Sequence, residues 1–591
     1  MSHTAEIIFG SNPGQEPGFY RFDGFEGEIS AYEEAEVVSA LIKIEAAVHA
    51  GCYAVGFLSY EAAAALDQSL TVKMPSSFPL LWFGIFRERR LLSAQELPET
   101  ANQVSYEMSD WQPAISREEY RQAIEKIRAY IGAGDCYQVN YTLQQHSSFR
   151  GDVQSFFHDL YRAQATPYSA FFDLDRYCIL STSPELFFQL DNGVMTVRPM
   201  KGTAGRGKNA SEDVEIAALL QRDEKERAEN LMIVDLLRND LGRISENGSV
   251  TVNSLFDVET FETVHQMTST VSSRLRPDVG LVDMFRALFP CGSITGAPKK
   301  RSMEIIAELE DVPRGLYTGC IGYISPDMSQ AVFSVAIRTV VIDKENGTGV
   351  LGVGSGITWY SSPDAEFEEC LAKGHFAKNI PLDFVLIESL LFEKGSGYFL
   401  LERHLDRLAH SAHYFGFRFD PGSVRTSLEK CAHAISENSK VRFLLSRDGS
   451  VAVEVAPLVS STSCHTSWIT FADQPIDSSN RFLYHKTSNR EMYRLELEKK
   501  SDCVDVIFLN EKGEVTEGAN NNIVIRKDGI LLTPPVTCGL LPGTLRAQLL
   551  ETGKVTEGVI MPADVEQADE IYLINSVRKW RRVRLAGGQP R

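Results

Sequence analysis

Hydrophobic and polar residues follow helical and strand-like patterns in turn over much of the chain. From about residue 114 to 376 the two patterns alternate without a low-complexity insert. Ser116–Ile131 has the spacing of an amphipathic helix, and Ser116 and Glu119 form a capping-box sequence at its start. Short β-branched and aromatic runs predict strands at Cys178–Ser181, Phe187–Gln189, Val194–Val197, Ile321–Ser325 and Val332–Ile342. The alternation predicts a mixed α/β fold.

Two further helical segments lead up to a domain boundary. The glutamate-rich stretch Glu212–Leu241 predicts one or two helices, and Asp364–Lys378 predicts a last helix before a proline. A new apolar run begins at Phe384. Because single cores stop growing at roughly 250–300 residues, a chain of 591 residues should form two large domains. The predicted division is 1–113 and 114–378 for the first domain, 379–383 for a linker and 384–591 for the second domain.

Composition and charge limit the classes of partner. The net charge is −20 and no block of Lys or Arg occurs, which argues against nucleic acid and against an anionic membrane surface. The sequence starts with neither the basic residues nor the apolar run of a signal peptide, and no apolar stretch reaches the roughly 18 residues of a membrane span. Ten cysteines stand singly, without zinc-ligand spacing. We expect a soluble, cytoplasmic protein.

Four glutamates occur as two pairs with helical spacing. Glu226 and Glu229 are three residues apart, and Glu366 and Glu369 repeat this spacing in a later helix, so each pair projects to one side. Two such pairs can form an oxygen cage for Mg²⁺, which takes a few carboxylates, retained waters and substrate oxygens. On spacing alone, solvated helix faces are the better explanation, because such glutamate pairs are common.

Seven ordered motifs between residues 114 and 378 change that balance. They are Gly134–Asn140, Ser183–Glu185, Pro199–Thr203, Asp223–Arg243, Gly292–Lys299, Ala336–Thr339 and Gly354–Gly356. Over this region the chain resembles the chorismate-utilising family, and within it aminodeoxychorismate synthase component I and anthranilate synthase component I. Residues 1–113 resemble the amino-terminal part of that family best over Gly56–Glu61. The resemblance implies a two-sheet α/β sandwich with helices outside, and a cleft for chorismate and Mg²⁺.

The resemblance also implies the ligands of the metal and of the substrate carboxylates. Glu229 and Glu369 would bind Mg²⁺ directly and so grip the ring carboxylate of chorismate. Glu226 and Glu366 would stand beside them or act through water. The implied substrate-binding residues are Gln138, Thr203, His265, Thr295, Tyr317, Arg338, Gly354 and Gly356.

Three of these substrate-binding assignments have a chemical reason. Arg338 matches the residue whose planar fork holds the enolpyruvyl carboxylate, and Tyr317 would assist it. The Gly354–Gly356 segment is expected to be a turn whose backbone N–H groups approach a carboxylate, because glycine removes the steric barrier. His265 stands where the family places a histidine near the ring, although a single histidine in an apolar strand is more often structural.

Two positions distinguish the members of this family. Anthranilate synthases usually carry Ala where this chain has Lys201, whereas aminodeoxychorismate synthases use this lysine as a nucleophile, which suits a desolvated amine. Isochorismate and salicylate synthases place a water-activating lysine where this chain has Gln138, which cannot act as that base. Glu185 matches the carboxylate that protonates the leaving 4-hydroxyl, for which its pKa must be raised. The alternative for Glu185 is an ordinary glutamate at a strand end.

The second domain holds a lysine and a glutamate in another context. Enzymes that use pyridoxal 5'-phosphate (PLP) need a lysine for the Schiff base and an acid that keeps the pyridine nitrogen protonated. Lys486 and Glu517 fit these needs but mean little alone. The accompanying motifs are His404–Leu408, Gly539–Arg546, Ala568–Glu570 and Asn575–Val577. Together they resemble the fold-type IV PLP enzymes, which include branched-chain aminotransferases and aminodeoxychorismate lyase.

This second resemblance implies the PLP-binding residues. Lys486 would be the Schiff-base lysine and proton carrier, and Glu517 would pair with the pyridine nitrogen. The implied phosphate-binding residues, of which the turns act through backbone N–H groups, are Arg407, Gly543, Thr544, Ser576 and Val577. Aminotransferases often place a tyrosine five residues after the lysine, where this chain has Glu491. Tyr493 is the nearest substitute, which weakens an aminotransferase interpretation.

Together the two resemblances imply synthesis of 4-aminobenzoate for folate. The first domain would aminate chorismate to 4-amino-4-deoxychorismate, and the second would eliminate pyruvate with PLP. No segment offers the nucleophilic cysteine and His-x-Glu of a glutamine amidotransferase, so a separate subunit should supply ammonia. Two alternatives stay open: an anthranilate synthase component fused to a fold-type IV aminotransferase, and a non-catalytic sensor of chorismate or PLP.

Overall fold

The computed structural model describes residues 4–10, 17–75, 77–92, 106–164, 166–261, 264–378, 384–458 and 467–586. It divides into two compact units. The first contains Met1–Gly205 and Ala217–Pro381, and the second contains Arg206–Ile216 and Leu382–Arg591. The predicted linker at 379–383 lies outside the described residues. None of the helices in the described ranges is long and apolar enough to cross a lipid bilayer.

The first unit is built on antiparallel strands. In chain order, β1 to β19 are Thr4–Gly10, Pro17–Ala31, Tyr53–Leu58, Leu81–Leu92, Tyr106–Met108, Gln112–Pro113, Gln138–Gly151, Tyr168–Leu174, Tyr177–Ser183, Leu186–Asp191, Val194–Arg198, Met200–Gly205, Thr251–Thr260, Val264–Arg274, Gly296–Ala297, Cys320–Ile324, Gln330–Val335, Thr339–Asp343 and Thr348–Ile357. One half pairs in the order β14–β11–β10–β17–β16–β3–β4–β2. The other half pairs as β1–β8–β9–β18–β19–β7. β1 also pairs with β2 and so joins the two halves.

Helices cover the outer faces of both halves. The α-helices up to residue 378, α1 to α9, are Glu34–His49, Ala63–Leu66, Arg117–Gly132, Val153–Gln164, Ala210–Arg222, Glu224–Gly242, Leu281–Leu288, Lys299–Leu309 and Pro363–Gly374. Short 3-10 helices occur at Tyr60–Ala62, Gly292–Ile294, Pro326–Met328 and His375–Ala377.

Three apolar clusters show why the first unit has this layered form. Successive side chains of a strand point to opposite faces, and β3 obeys this rule. Phe57 packs with Phe172 of β8 in a cluster made by strands of both halves. Leu58 instead joins a cluster with Leu237 of α6. A third cluster, which includes Ile124 of α3, covers the other half. The two-sheet sandwich with helices outside is therefore confirmed.

The predicted elements are reproduced with one clear exception. Ser116 caps α3, and its capping box with Glu119 is complete. The stretch Glu212–Leu241 belongs to two helices, α5 and α6. The single strand predicted over Val332–Ile342 is wrong, because the chain forms two strands, β17 and β18. Arg338 lies between them with φ of 49°, a left-handed backbone conformation that cannot continue a strand.

The second unit contains two sheets. In chain order, β20 to β31 are Leu386–Glu393, Gly397–Tyr398, Ser439–Leu445, Val451–Pro457, Trp468–Phe471, Asp505–Leu509, Val515–Gly518, Asn522–Lys527, Ile530–Thr533, Thr556–Glu557, Glu570–Asn575 and Lys579–Leu585. The smaller sheet has the order β21–β20–β22–β23, and the larger has the order β26–β25–β24–β31–β30–β27–β28–β29. Helices α10 to α14 are Leu401–Phe415, Pro421–Ala434, Glu491–Lys499, Thr544–Glu551 and Pro562–Gln567, and a 3-10 helix covers Arg481–Tyr484.

The edge of β20 fixes the backbone next to the predicted PLP lysine. The Ile387 N–H donates to the Lys486 carbonyl at 2.8 Å, and Leu386 forms a bridge with Thr487. Helices α10 and α11 pack against the smaller sheet through apolar residues such as Leu405. The backbone at Lys486 is therefore bonded to β20, in a sheet that α10 and α11 cover, a few residues before α12 begins.

Candidate active sites

Lys201 meets residues of three other segments in the first unit. A Cβ placed on Gly356 of β19 would lie 2.3 Å from Gln138 Nε2 and 3.1 Å from Lys201 Nζ. Gln138 Nε2 also donates to Glu229 Oε2 over 3.4 Å. Since any larger residue would collide with these side chains, Gly356 makes their meeting possible. The structure thus brings together Lys201, Gln138, Gly356 and Glu229.

The glycine segment beside Lys201 is not the expected turn. Gly354 and Gly356 lie within β19, where they pair with Thr142 and Asn140 of β7. The expectation of a turn is wrong, because sheet pairing continues through both glycines. Their small size still matters, since a Cβ on Gly354 would lie 2.7 Å from the Tyr141 carbonyl oxygen.

Glu185 is a buried acid close to Lys201. It lies between β9 and β10 with only 4% of its surface exposed, and Ser293 Oγ donates to its Oε1 at 2.6 Å. Burial raises the pKa of Glu185 to about 7, although Ser293 and Lys201 oppose this rise. Burial also lowers the pKa of Lys201, which Glu229 partly offsets. This pair therefore combines an acid that can carry a proton near neutral pH with an amine whose neutral form is favoured by burial.

The glutamates of α6 form a close pair. Burial and the charge of Glu229 both raise the pKa of Glu226. Lys225 Nζ lies 4.0 Å from a Glu226 oxygen and 3.9 Å from a Glu229 oxygen. Two carboxylates that repel each other in this way fit a divalent cation, since Mg²⁺ commonly takes one or two protein carboxylates together with substrate oxygens and waters.

The glutamates of α9 have a different environment. Glu369 is exposed and its carboxylate lies 2.7 Å from Lys373 Nζ, whereas Glu366 is half-buried. Lys373 also donates to the Gly354 carbonyl at 2.9 Å, which places it against β19. In the part of the chain that the structure describes, no three His, Cys, Asp or Glu side chains are grouped closely enough to hold a metal ion. The four predicted ligands are therefore not gathered into one ready-made cage.

Arg338 is a half-buried cation that pairs with no described carboxylate. Its Nη1 donates to Gln164 Oε1 at 2.6 Å, and burial lowers its pKa to about 10. Within the described residues no acidic side chain forms an ion pair with it. A guanidinium that is partly removed from water without an anion is costly, so this arrangement fits a bound carboxylate. Tyr317 lies at β19, where a Cβ on Gly352 would be 2.1 Å from its ring.

The remaining predicted substrate-binding residues bond to their own surroundings. His265 on β14 is 1% exposed, and its Nδ1 lies 3.0 Å from Thr260 Oγ1. The exposed Thr203 on β12 donates to Gln266 Oε1 at 3.0 Å. The Thr295 hydroxyl donates to two backbone carbonyls of its own turn. Their contacts with chorismate stay predictions.

Two exposed aromatic residues are close in sequence to residues of the Lys201 site. Tyr137, immediately before Gln138, is 73% exposed, and Trp359, three residues after Gly356, is 49% exposed. The Trp359 ring lies against Gly132 of α3, where a Cβ would be 3.0 Å from a ring atom. Both aromatic side chains are therefore open to solvent.

Lys486 is the corresponding amine of the second unit. Its side chain is half-buried, and burial together with the charges of Arg490 and Arg407 lowers its pKa to about 7. Glu388 and Glu517 oppose this shift. A lysine that is partly neutral at pH 7 can form a covalent bond with an aldehyde and can exchange a proton.

Glu517 is an acid held by two donors. Tyr493 donates its hydroxyl to Oε1 at 3.0 Å, and Asn522 donates to Oε2 at 3.2 Å. Burial raises the pKa of Glu517 to about 7, while Arg490 lowers it. Tyr493, the nearest substitute for the absent aminotransferase tyrosine, thus contacts the predicted partner of the pyridine nitrogen.

Arg407 and the start of α13 come together at one turn. Arg407 Nη1 donates to the Pro542 carbonyl at 3.2 Å, and the next residue, Gly543, is the N-cap of α13. The first amides of a helix have no acceptor inside it and attract anions. Thr544 is the first residue of this helix. The residues present therefore fit a phosphate group such as that of PLP.

Ser576 and Val577 approach the same region from β30. Ser576 Oγ donates to the Ser389 carbonyl of β20 at 3.3 Å. The Val577 N–H donates to Asn575 Oδ1 at 3.0 Å. Strand β20 thus carries contacts to both Ser576 and, through Glu388, Arg407. Direct phosphate contacts of Ser576 and Val577 stay predictions.

Sequence comparison matches both units to known families. The model of the chorismate binding enzymes matches residues 7–379, which is more than half of the chain. The chain belongs to the chorismate-binding enzyme family. The model of the class IV aminotransferases matches residues 385–586. The chorismate-binding enzyme thus carries a second, fold-type IV unit.

Individual relatives match the first part of the chorismate-binding enzyme. Aminodeoxychorismate synthase component 1 of Escherichia coli is 44% identical over 265 residues, 45% of this chain and 58% of that protein. The protein of the same name in Bacillus subtilis is 38% identical over 281 residues, 48% of this chain and 58% of that protein. The match spans less than two thirds of either relative. The structure of anthranilate synthase component I from Streptococcus pneumoniae aligns with a TM-score of 0.53 and 25% identity, over 64% of this chain and 93% of that one.

The structure of the chorismate-binding enzyme adds residues that the sequence analysis missed. Ser293 lies inside the Gly292–Lys299 motif, so the motif could have revealed it. Gln164 and Lys373 carry no sequence signal, because their partners Arg338 and Gly354 lie in other segments. In the second unit Glu388 likewise carries no sequence signal, whereas His404 lies in the His404–Leu408 motif and Asn522 lies in the stretch that follows Glu517.

Proposed function

We propose that this chain makes 4-aminobenzoate from chorismate in two steps, amination in the first unit and elimination of pyruvate in the second. The observation that carries this proposal is Lys201, which lies beside Gln138 and Glu229 and is electrostatically coupled to Glu185. The names of the relatives in Escherichia coli and Bacillus subtilis support amination of chorismate. The class IV aminotransferase match supports PLP chemistry in the second unit.

In the first step Lys201 acts as the nucleophile and Glu185 acts as the acid. The neutral amine of Lys201 forms a bond to a ring carbon while Glu185 gives its proton to the departing 4-hydroxyl, which leaves as water. Ammonia then binds at the 4-position, and the Lys201–carbon bond breaks. The net change is the exchange of the hydroxyl for an amine with release of water. Gln138 cannot activate water, so ammonia is the nucleophile that this site favours.

Carboxylate binding holds the substrate during this step. Arg338, held by Gln164 and assisted by Tyr317, binds the enolpyruvyl carboxylate. Glu229 and Glu369 would hold Mg²⁺ directly, with Glu226 and Glu366 beside them or acting through water. Mg²⁺ supplies the positive charge that neutralises the ring carboxylate. The closeness of Glu226 and Glu229, and their shared coupling to Lys201, support this placement.

In the second step Lys486 moves the proton that allows the ring to become aromatic. PLP supplies the electron sink when it is bound. Lys486 would hold PLP, and its amine takes the proton from C4 of the aminated intermediate. Glu517 holds the proton of the pyridine nitrogen, and Tyr493 and Asn522 hold Glu517 in place. Loss of the enolpyruvyl group as pyruvate then leaves 4-aminobenzoate.

The two alternatives from the sequence have less support. Lys201 argues against an anthranilate synthase, which usually has Ala at this position. The hydrogen bond from Tyr493 to Glu517 argues against a fold-type IV aminotransferase. A non-catalytic sensor would not need an acid and an amine with shifted pKa values in both units. We further propose that a separate glutamine amidotransferase subunit supplies ammonia, as the words "component 1" in the names of the relatives suggest.

One experiment tests the whole proposal. The purified chain is incubated with chorismate, Mg²⁺ and ammonium, with and without PLP, and the aromatic products are identified by chromatography and mass spectrometry. We expect 4-aminobenzoate and pyruvate with PLP, and accumulated aminodeoxychorismate without it. Anthranilate as the main product would contradict the first step. Release of pyruvate at the full rate from PLP-free protein would contradict the second.

A further inference from the structure

A buried cluster of four side chains lies behind the predicted phosphate site of the second unit. We call Glu388, His404, Arg407 and Thr544 the Glu388 cluster. Arg407 Nε donates to Glu388 Oε1 at 2.8 Å, and Arg407 Nη2 donates to Oε2 at 2.7 Å. His404 Nδ1 lies 2.6 Å from Oε2. The Glu388 side chain is only 3% exposed, so these contacts are shielded from water.

The cluster reaches the start of α13 along two routes. His404 Nε2 lies 3.3 Å from the hydroxyl of Thr544, the first residue of the helix. The guanidinium of Arg407 donates to the Pro542 carbonyl, just before the helix. Glu388 is thus the common partner of the two side chains that touch the Pro542–Thr544 turn.

The charge on Glu388 is stabilised in spite of its burial. Burial would raise the pKa of Glu388, but the charges and hydrogen bonds of Arg407 and His404 lower it to about 2. Buried ion pairs often contribute little to stability compared with apolar packing, because desolvation cancels much of the attraction. What a two-point contact does provide is a fixed orientation of the guanidinium plane.

We propose that Glu388 is a positioning residue for the phosphate of PLP. It fixes the plane of Arg407 and, through His404, the position of Thr544, so that the guanidinium and the backbone N–H of Thr544 meet the phosphate in a preformed arrangement. This inference rests on the proposed function, because it requires PLP in the second unit.

The hydroxyl of Thr544 shows how Glu388 acts over two residues. A threonine has one hydroxyl hydrogen, and a histidine nitrogen accepts it only when that nitrogen carries no proton. Because Glu388 accepts a hydrogen bond from Nδ1 of His404, a ring proton is held there and Nε2 accepts from the Thr544 hydroxyl. This contact holds Thr544 at the start of α13, where its backbone N–H has no acceptor inside the helix and can donate to a phosphate oxygen. Without the carboxylate the ring proton is no longer held at Nδ1, and the contact that holds Thr544 weakens.

Binding of PLP and of pyridoxal, which lacks the phosphate, separates positioning from general packing. The protein is stripped of cofactor and titrated with each compound, and binding is followed by absorbance and protein fluorescence. We expect Glu388→Gln to raise the Kd of PLP by about tenfold or more and the Kd of pyridoxal by less than about threefold. Glu388→Asp should recover part of the PLP affinity because it keeps the charge.

Two further variants control this experiment. Glu402→Gln removes a carboxylate from the same helix as His404, but this residue is exposed and pairs with Arg425, so both Kd values should stay unchanged. His404→Gln breaks only the route to Thr544 and leaves the ion pair of Glu388 with Arg407. It should raise the Kd of PLP by about threefold, and it tests the proposal if Glu388→Gln does not fold.

Each outcome bears on a different claim. If the unaltered protein does not bind PLP, the proposed function of the second unit is wrong. If it binds PLP and Glu388→Gln binds PLP equally well, Glu388 does not position the phosphate site. Equal weakening of PLP and pyridoxal by Glu388→Gln would also overturn the proposal, because it would show a general packing role.

Discussion

The two units use the same pair of residue types in opposite electrostatic surroundings. Each places a lysine of lowered pKa in reach of a buried glutamate whose pKa is raised to about 7. Lys201 is coupled to Glu229 and other carboxylates, which favour its charged form. Lys486 is coupled to Arg490 and Arg407, which disfavour it.

This difference indicates which charge each site favours in a bound group. The carboxylates around Lys201 leave room for further positive charge, which suits a divalent cation that in turn binds a substrate carboxylate. The arginines around Lys486 suit a phosphate. The net charge of −20 predicts neither, because local groups decide the potential inside a cleft.

The largest effect is expected when Lys486, the lysine of the second unit, is removed. In Lys486→Ala we expect pyruvate release to fall by about 10³-fold, because the variant loses both the covalent anchor for PLP and the proton carrier. Amination of chorismate should continue, so aminodeoxychorismate should accumulate, as measured by chromatography. The absorbance of covalently bound PLP in the violet to near-ultraviolet should also disappear.

Lys499→Ala is a matched control for that variant. Lys499 lies on α12 with an exposed side chain that pairs with Glu496, and it belongs to neither site, so its removal should leave both activities unchanged. Formation of 4-aminobenzoate at the normal rate by Lys486→Ala would show that the second unit is not the lyase.

The next largest effect is expected when Lys201, the lysine of the first unit, is removed. In Lys201→Ala we expect the amination rate to fall by at least about 100-fold, because the nucleophile is lost. Lyase activity on supplied aminodeoxychorismate should be unchanged. Lys344→Ala, which removes a partly exposed lysine paired with Asp173, serves as the control. An unchanged product and rate in Lys201→Ala would remove the nucleophile assignment.

The assignment of the metal ligands can be tested by comparing one glutamate from α6 with one from α9. Glu229→Gln should raise the Mg²⁺ concentration for half-maximal amination by about tenfold or more. Glu369→Gln should raise it by about threefold, because Glu369 is exposed and shares its charge with Lys373. Lyase activity should stay intact in both.

Mg²⁺ titrations of the amination rate provide the measurement. Glu368→Gln is the control, since this exposed neighbour of Glu369 pairs with Arg117 instead. Normal titrations for both Glu229→Gln and Glu369→Gln would place the metal elsewhere.

The smallest expected effect concerns the acid of the first unit. The Ser293 hydroxyl lowers the pKa of Glu185, so Ser293→Ala should raise it further. Because Glu185 must carry a proton to act, amination falls as pH rises through its pKa of about 7. In the variant this fall should move to higher pH by up to about one pH unit.

The pH profile of kcat/KM for amination checks this shift. Ser325→Ala, a change at a buried serine that bonds to Ser329 and Gln330, should leave the profile in place. An unmoved profile in Ser293→Ala would show that the contact with Glu185 has no catalytic consequence.

Much of the fold could be predicted because it depends on local patterns. The capping box of Ser116 and Glu119 identified a helix start, and short β-branched and aromatic runs identified the strands around Glu185. The strand predicted through Arg338 failed because its residues have strand-like types, while the backbone turns at Arg338 itself. Such a turn serves the site and leaves no pattern in hydrophobicity.

The candidate sites were predictable only where motifs carry them. Lys201, Glu185, Lys486 and Glu517 stand in motifs, and the structure gives each a shifted pKa. The partners that hold such residues come from distant segments. Gln164 is 174 residues from Arg338 along the chain, and only folding brings them together. Pairing at this range has no local periodicity to reveal it.

Trp359 gives the chain a built-in optical reporter. It is one of five tryptophans and stands three residues after Gly356, with half of its ring open to water. Indole emission shifts to shorter wavelength when water is excluded. A ligand at Gly356 that moves the end of β19 against α3 should therefore change the emission of Trp359, whose ring lies on Gly132, and Trp359→Phe should remove that change. Substrate entry could then be timed directly in stopped-flow fluorescence, without a label and before any product forms.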